Sequence, residues 1–227
     1  MHVPPRFATD EGEAVAFAER RGFGLLTGHD GIKPVGSHLP FTVHHGEHGV
    51  RVQFHVAKGN RLQELADGRT FLLAVSGADA YVSNDWYATP DQVSTWLYEA
   101  VHLTGPLFRL EAAANRAHGD ALLGTFEGRL APKRPWRLDT MEARKREAML
   151  NAVVTLEMTV MSVEGQRKLN QHKPDADHVS VVRVLEQAGG TASAVAQAMR
   201  AMRPHLAYSA DGGGKAAQSE PSHKTLV

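Results

Sequence analysis

Cysteine is absent from the 227-residue chain, which excludes disulfides, thiolate nucleophiles, zinc fingers and iron–sulfur clusters. Net charge is absent as well: 25 Lys and Arg balance 25 Asp and Glu. No overall field therefore draws the molecule to nucleic-acid phosphates or an anionic membrane, and any nucleic-acid contact must be local. No run approaches the roughly 18 apolar residues of a membrane span. The opening segment MHVPPRFATDEGEA lacks the basic and then apolar pattern of a secretory signal, so the expected location is the cytoplasm. Aromatic residues are few, with three Trp and four Tyr, yet five of these seven fall between Tyr81 and Tyr98. What is present is ordinary for a folded protein, 42% hydrophobic and 22% charged, with thirteen histidines as the one excess.

Hydrophobic spacing predicts a first helix over Glu11 to Arg21, capped by Thr9 or Asp10 and ended by Gly22. FGLLTG (Phe23 to Gly28) and Lys33 to Val43 read as a strand pair joined by HDG. Val50 to Ala57 alternates, with Val50, Val52, Phe54 and Val56 on one face and Arg51, Gln53 and His55 on the other. NRLQELADG predicts a helix capped at Asn60 and stopped at Gly68. TFLLAVSG reads as a buried strand, Gly77 to Asp79 as a turn, AYVSNDWY as a further strand, and Ser94 to Glu111 as a long strand with a bulge near Gly105 and Pro106. Two helices are expected next, one in the Ala-rich stretch after Glu111 and one capped by Asp139 and Glu142. Val153 to Val163 reads as a last strand, followed by a loop, GQRKLNQHKPDAD. Two more helices, His178 to Gln187 and Ala192 to Arg203, break at Gly189 and Gly190. Strands in series with few intervening helices predict a mainly β, α+β fold: an antiparallel barrel with peripheral helices.

Pairing Val43 with Val50, Phe41 with Val52 and Leu39 with Phe54 matches apolar residues and leaves Gly46 and Glu47 as a tight turn. That register sets His38 opposite His55 on a polar face with Thr42, Arg51 and Gln53, which reads either as a solvated sheet surface or as a ligand pocket. His44, His45 and His48 read as solvated turn residues rather than metal ligands. HVAKGN brings Lys58 and Gly59 to an expected helix N-terminus, where a point charge and free amides suit a phosphate; a surface lysine beside a capped helix is the plain alternative. The Tyr81 to Tyr98 cluster suits stacking of a planar ring or a subunit contact. RKLNQH (Arg167 to His172) reads as a surface loop or a reader of anions and carbonyls. The break at Gly189 to Thr191 invites a helix-turn-helix reading with Gln197, Arg200 and Arg203 outward, although two Ala-rich helices also simply pack together. Arg129 to Arg146 is the one basic concentration.

HLPF (His38 to Phe41), HVAKGN (His55 to Asn60), YVSNDWY (Tyr81 to Tyr87), STWLY with VHLTG (Ser94 to Gly105), Pro135–Trp136 and EGQRKLNQ (Glu164 to Gln171) occur in the order and spacing of the PaiB family, the FMN-binding negative transcriptional regulators, and the chain resembles that family over about residues 1 to 187. The resemblance implies a flavin-reductase-like split β-barrel and a homodimer with FMN at the subunit interface. It implies cofactor-binding positions at His38, Leu39, Pro40, His55, Ala57, Lys58, Asn60, Tyr81, Ser83, Trp96, Lys168 and Gln171, with Lys58 on the phosphate and Gln171 reaching the partner's site. The chain departs from the usual family pattern at Asn84, Ser94, Leu97, Asn170 and His172. The expected organisation is a split-barrel domain over 1–187, a helical extension over 188–208 and a disordered tail over 209–227. An FMN-dependent oxidoreductase is the alternative function. A haem-handling split barrel, with His38 and His55 as the pair to test, is a third; direct DNA binding finds no support in the net charge.

Overall fold

The computed structural model describes residues 1–208, so the tail expectation lies outside the described residues. Asp10 accepts a hydrogen bond from the Glu13 amide at 2.8 Å and starts α1 (Glu11–Arg21). Gly22, at φ 59°, takes the left-handed conformation that ends it. Then follow β2 (Phe23–His29), β3 (Pro34–Gly46), β4 (Gly49–Ala57), the one-turn helix α2 (Leu62–Leu65), β5 (Asp67–Val82), β6 (Thr95–Arg109), α3 (Ala114–Gly128), α4 (Ala143–Asn151), β7 (Val153–Thr159), β8 (Ser162–Lys168), α5 (Asp175–Ala188) and α6 (Gly190–Met202). A two-residue strand, β1 (Ala8–Thr9), precedes α1.

The antiparallel order β6-β5-β2-β3-β4-β7, with β7 paired back onto β6, closes a six-stranded barrel; β8 and β1 continue the sheet beyond β6. The strand expected over Val153 to Val163 is thus two strands, and Gly165–Lys168, expected in a loop, belong to β8. The two strands divide β6 between them: β8 pairs Tyr98 to Thr104, and β7 pairs Leu107 to Arg109. Their corner passes over Gly105, where a Cβ would stand 1.8 Å from the Thr159 carbonyl oxygen. Only glycine permits that approach. Gly77 to Asp79 make no turn. They lie inside β5, where the pairing moves from Ser76↔Ala100 to Asp79↔Tyr98, one extra residue absorbed as a bulge.

The β3–β4 hairpin also differs from the expected register. Phe41 pairs with Phe54, Val43 with Val52 and His45 with Val50, and the turn is Glu47–His48, with Gly49 at φ 101°. A displacement of two residues leaves every side chain on its original face, so the apolar pattern cannot distinguish the two registers. The consequence falls on the histidines: His38 pairs with Leu25 of β2 and His55 with Thr155 of β7, so they do not face each other.

Phe41, Val52, Phe54, Leu73, Leu103, Leu107, Leu156 and Met158 fill the barrel, and α1 closes it with Ala14, Val15 and Phe17. A second apolar cluster joins Val82, Tyr87, Leu97 and Leu169 to Val181, Leu185, Val195 and Met199 of α5 and α6. No helix among the described residues is long and apolar enough to cross a membrane.

Candidate functional site

The expected site residues fall into three separate places. The first is the loop after β4. Lys58 and Gly59 form a turn, and Asn60 donates to Ser37 Oγ at 3.0 Å while its Oδ1 accepts from the Leu62 amide at 2.9 Å. The helix that follows is a single turn whose cap position is Arg61, so the expected amide-rich helix N-terminus does not form at Lys58. The lysine is exposed, and its ammonium has no hydrogen-bond or ion-pair partner among the described residues; its carbonyl accepts from Gln63 Nε2. On the adjacent strand His38 is exposed and stacks on Phe23, ring centroids 6.3 Å apart, while Leu39 points into the core and Pro40 is half-buried. Ala57 is exposed at the end of β4.

The second place is the extension of β5, β6 and β8 beyond the barrel. Tyr81 pairs across with Trp96, their rings edge to face at 6.0 Å; they are 48% and 54% exposed, a large flat apolar area facing outward. Lys168, opposite Tyr98, donates to Thr95 Oγ1 at 2.7 Å, and burial lowers its pKa. Ser83 stands at the end of β5, where its carbonyl accepts from the Trp86 amide. Gln171 is fully used in its own turn: Oε1 accepts from the Leu169 amide, and Nε2 donates to the carbonyls of Arg167 and Arg6.

The third place holds His55 and several residues with no earlier role. Helix α3 lies across the outer face of β3, β4 and β7. Asn115 fastens it there: Nδ2 donates to the Leu150 and Val153 carbonyls, and Oδ1 accepts from the Thr155 amide and hydroxyl. One turn on, His118 is 2% exposed, and its Nε2 lies 3.2 Å from His55 Nδ1. Burial, with His55 and His44 close by, pushes the His118 pKa down to about 4, and burial lowers that of His55. Around them Leu122, Leu123, Trp136, Leu138 and Met149 enclose a pocket. Its signal in the sequence is Asn115, His118, Gly119 and Leu122, spaced to share one face of an otherwise Ala-rich helix.

The helix-turn-helix expectation meets a packing answer. Arg200 pairs with Glu186 and lies over Tyr208, while Arg203 pairs with Asp175 and donates to the Gln171 and Lys173 carbonyls. Both arginines tie α6 to its surroundings.

A closed six-stranded antiparallel barrel extended along one long strand is the split barrel of flavin-binding proteins. By the match of residues 1–162 to the family model described as putative FMN-binding domain, the chain belongs to that family. It is an FMN-binding split-barrel protein, with FMN as its cofactor. A curated relative, protease synthase and sporulation protein PAI 2 of Bacillus subtilis (strain 168), is 26% identical over 193 residues, 82% of this chain and 89% of the relative. Among solved structures, the FAD and heme binding protein from Mycobacterium smegmatis aligns with a TM-score of 0.53 and 21% identity, covering 80% of this chain and 79% of that one. The flavocytochrome Anf3 from Azotobacter vinelandii aligns with a TM-score of 0.51 and 18% identity, covering 74% and 72%. These two share the fold.

The residues present suit FMN in two pieces. A lysine ammonium unpaired among the described residues, in an exposed turn, suits a phosphate, and an exposed pair of aromatic rings beside a second lysine suits a flat ring system with polar edges. The α3 pocket does not suit the charge of the cofactor's phosphate, because no cationic side chain lines it.

Proposed function

We propose that FMN is held between two copies of this chain, its phosphate on the Lys58–Asn60 turn of one and its ring against Tyr81, Trp96 and Lys168 of the other. The observation that carries this reading is the separation of the two half-sites. In the register of β4, β7 and β6, Phe54, Leu156 and Arg109 stand in one row, and Lys58 lies four residues beyond Phe54. Trp96 is at the other end of the same β6, a stretch of roughly 40 Å if fully extended. Strand β5, which carries Tyr81, is also three strands from β4 in either direction round the barrel. The register thus sets the two half-sites at opposite ends of the β6 row, and each is read as half of a site that a second copy completes. A two-fold related partner brings the opposite ends together twice.

Within that arrangement Lys58 supplies the charge for a phosphate, and Asn60, held by Ser37 and the Leu62 amide, keeps the turn in place. The His38 to Pro40 backbone runs alongside, and the Tyr81–Trp96 pair shields one face of the ring from water. Ser83 stands at the rim of that half-site. Bound FMN supplies a ring that accepts and donates electrons.

Complementation of two deficient variants tests the reading. Lys58→Ala and Trp96→Ala are each expected to bind FMN at least tenfold more weakly than the parent chain in a fluorescence titration. Dissociated and re-mixed, they are expected to recover full affinity in about a quarter of the sites, those formed by the two unaltered half-sites. Unchanged affinity in both variants, or no recovery on mixing, would overturn the shared site.

A further inference from the structure

The pocket beneath α3 has a composition unlike either flavin half-site. Its walls are Leu122, Leu123, Leu138, Met149, Leu150 and Val153, with the Trp136 indole at the mouth, and no charged side chain lines it. Its volume is about 180 Å³, below the roughly 300–1,000 Å³ of drug-sized sites, which limits an occupant to a small molecule. Two imidazoles form the polar end, their rings 5.3 Å apart at 62°.

The hydrogen bond between those rings can be made in two ways, and burial chooses between them. If His55 donated from Nδ1, neutral His118 would carry its own proton on Nδ1, a fully buried atom with no hydrogen-bond partner among the described residues. If His118 donates from Nε2, its Nδ1 is left with only an unshared electron pair, and a buried orphan acceptor is tolerated better than a buried orphan N–H. The second arrangement therefore holds. His55, accepting at Nδ1, must then carry its proton on Nε2. That atom makes no hydrogen bond among the described residues, is not among the buried unpartnered atoms, and belongs to a residue that lines the pocket.

We infer that this pocket is a second ligand site, separate from FMN, for a small, flat, uncharged apolar molecule bearing one hydrogen-bond acceptor such as a ring carbonyl, which the His55 Nε2–H receives. A carboxylate or phosphate is disfavoured, since the apolar walls would strip its water and no cation replaces it. A wholly apolar molecule would leave the His55 proton buried without a partner.

Coumarin, two fused rings with one ring carbonyl, is a suitable probe, and naphthalene is the same shape without the acceptor. With the full chain loaded with FMN, coumarin is expected to shift the NMR signals of the Gly119 amide and the Trp136 indole N–H saturably at submillimolar concentration, with flavin fluorescence unchanged. His55→Phe is expected to weaken coumarin about tenfold, the worth of one hydrogen bond, and to leave naphthalene affinity as it was. Leu122→Trp, which fills the cavity, is expected to abolish binding of both while FMN stays bound; Met149→Trp at the rim serves the same purpose should the first variant fold poorly. No shift at Gly119 and Trp136 up to millimolar coumarin would overturn the inference. So would coumarin affinity indifferent to His55→Phe, or displacement of coumarin by added FMN, which would make the pocket part of the flavin site. The half-sites proposed for FMN do not enter this outcome, so the two readings fail independently.

Discussion

His118 is the residue whose environment most constrains its chemistry. Its pKa, about 4 in the fold, lies below the value of roughly 6.5 it regains on unfolding. The unfolded chain therefore binds more protons between those values, and stability falls as the pH drops through that window. Above pH 6.5 the neutral, buried imidazole imposes no such penalty. At pH 4 the loss is on the order of 3 kcal/mol from His118 alone, and His55 adds in the same direction. Thermal unfolding followed from pH 7 to pH 4 is expected to show this decline, and His118→Phe to flatten it; a parallel decline in both proteins would remove the residue from the account. Gly105 is constrained by space instead. Ala at this position would drive a Cβ into the Thr159 carbonyl, and Gly105→Ala is expected to lose about 3 kcal/mol in urea unfolding.

Helix α3 owes its position to polar contacts as much as apolar ones. Asn115 satisfies two carbonyls and receives two donors from β7 and its approach, so removing its amide strands all four groups beneath the helix. Asn115→Ala is expected to cost about 3 kcal/mol and to raise amide exchange along α3 more than along α5. Equal protection in both helices would show that apolar packing alone seats α3. The helix pair α5 and α6 stands on different footing: its inner face shares an apolar cluster with the outer ends of β5 and β6, and its arginines are bound to carboxylates and carbonyls. An unpaired basic recognition face of the kind that reads DNA is not what Arg200 and Arg203 form.

For the molecule as a whole, the placement of Lys58 and Trp96 at opposite ends of the long β6 row makes assembly part of the proposed function. Solution scattering is expected to give a mass about twice the 24.7 kDa of the chain, with Tyr81 and Trp96 losing exposure. A monomer that binds FMN with full affinity would contradict the arrangement.

The boundaries of α1 were legible because its cap and stop are local: Asp10 meets an amide three residues on, and Gly22 alone tolerates the left-handed turn. The faces of β4 and β7 were legible because alternation records which side is buried. The β3–β4 register was not, since a two-residue displacement preserves every face. The break of one expected strand into β7 and β8 was equally hidden, because the close approach at Gly105 comes from a segment more than fifty residues away. The α3 pocket escaped for the same reason. His55 and His118 are 63 residues apart, and neither residue's neighbours in the chain foretell the other. Local chemistry in the sequence determined the caps, the alternation and the ordered family motifs. Only the closed barrel decided which histidine met which, because distance in space is set by strand order and register rather than by position along the chain.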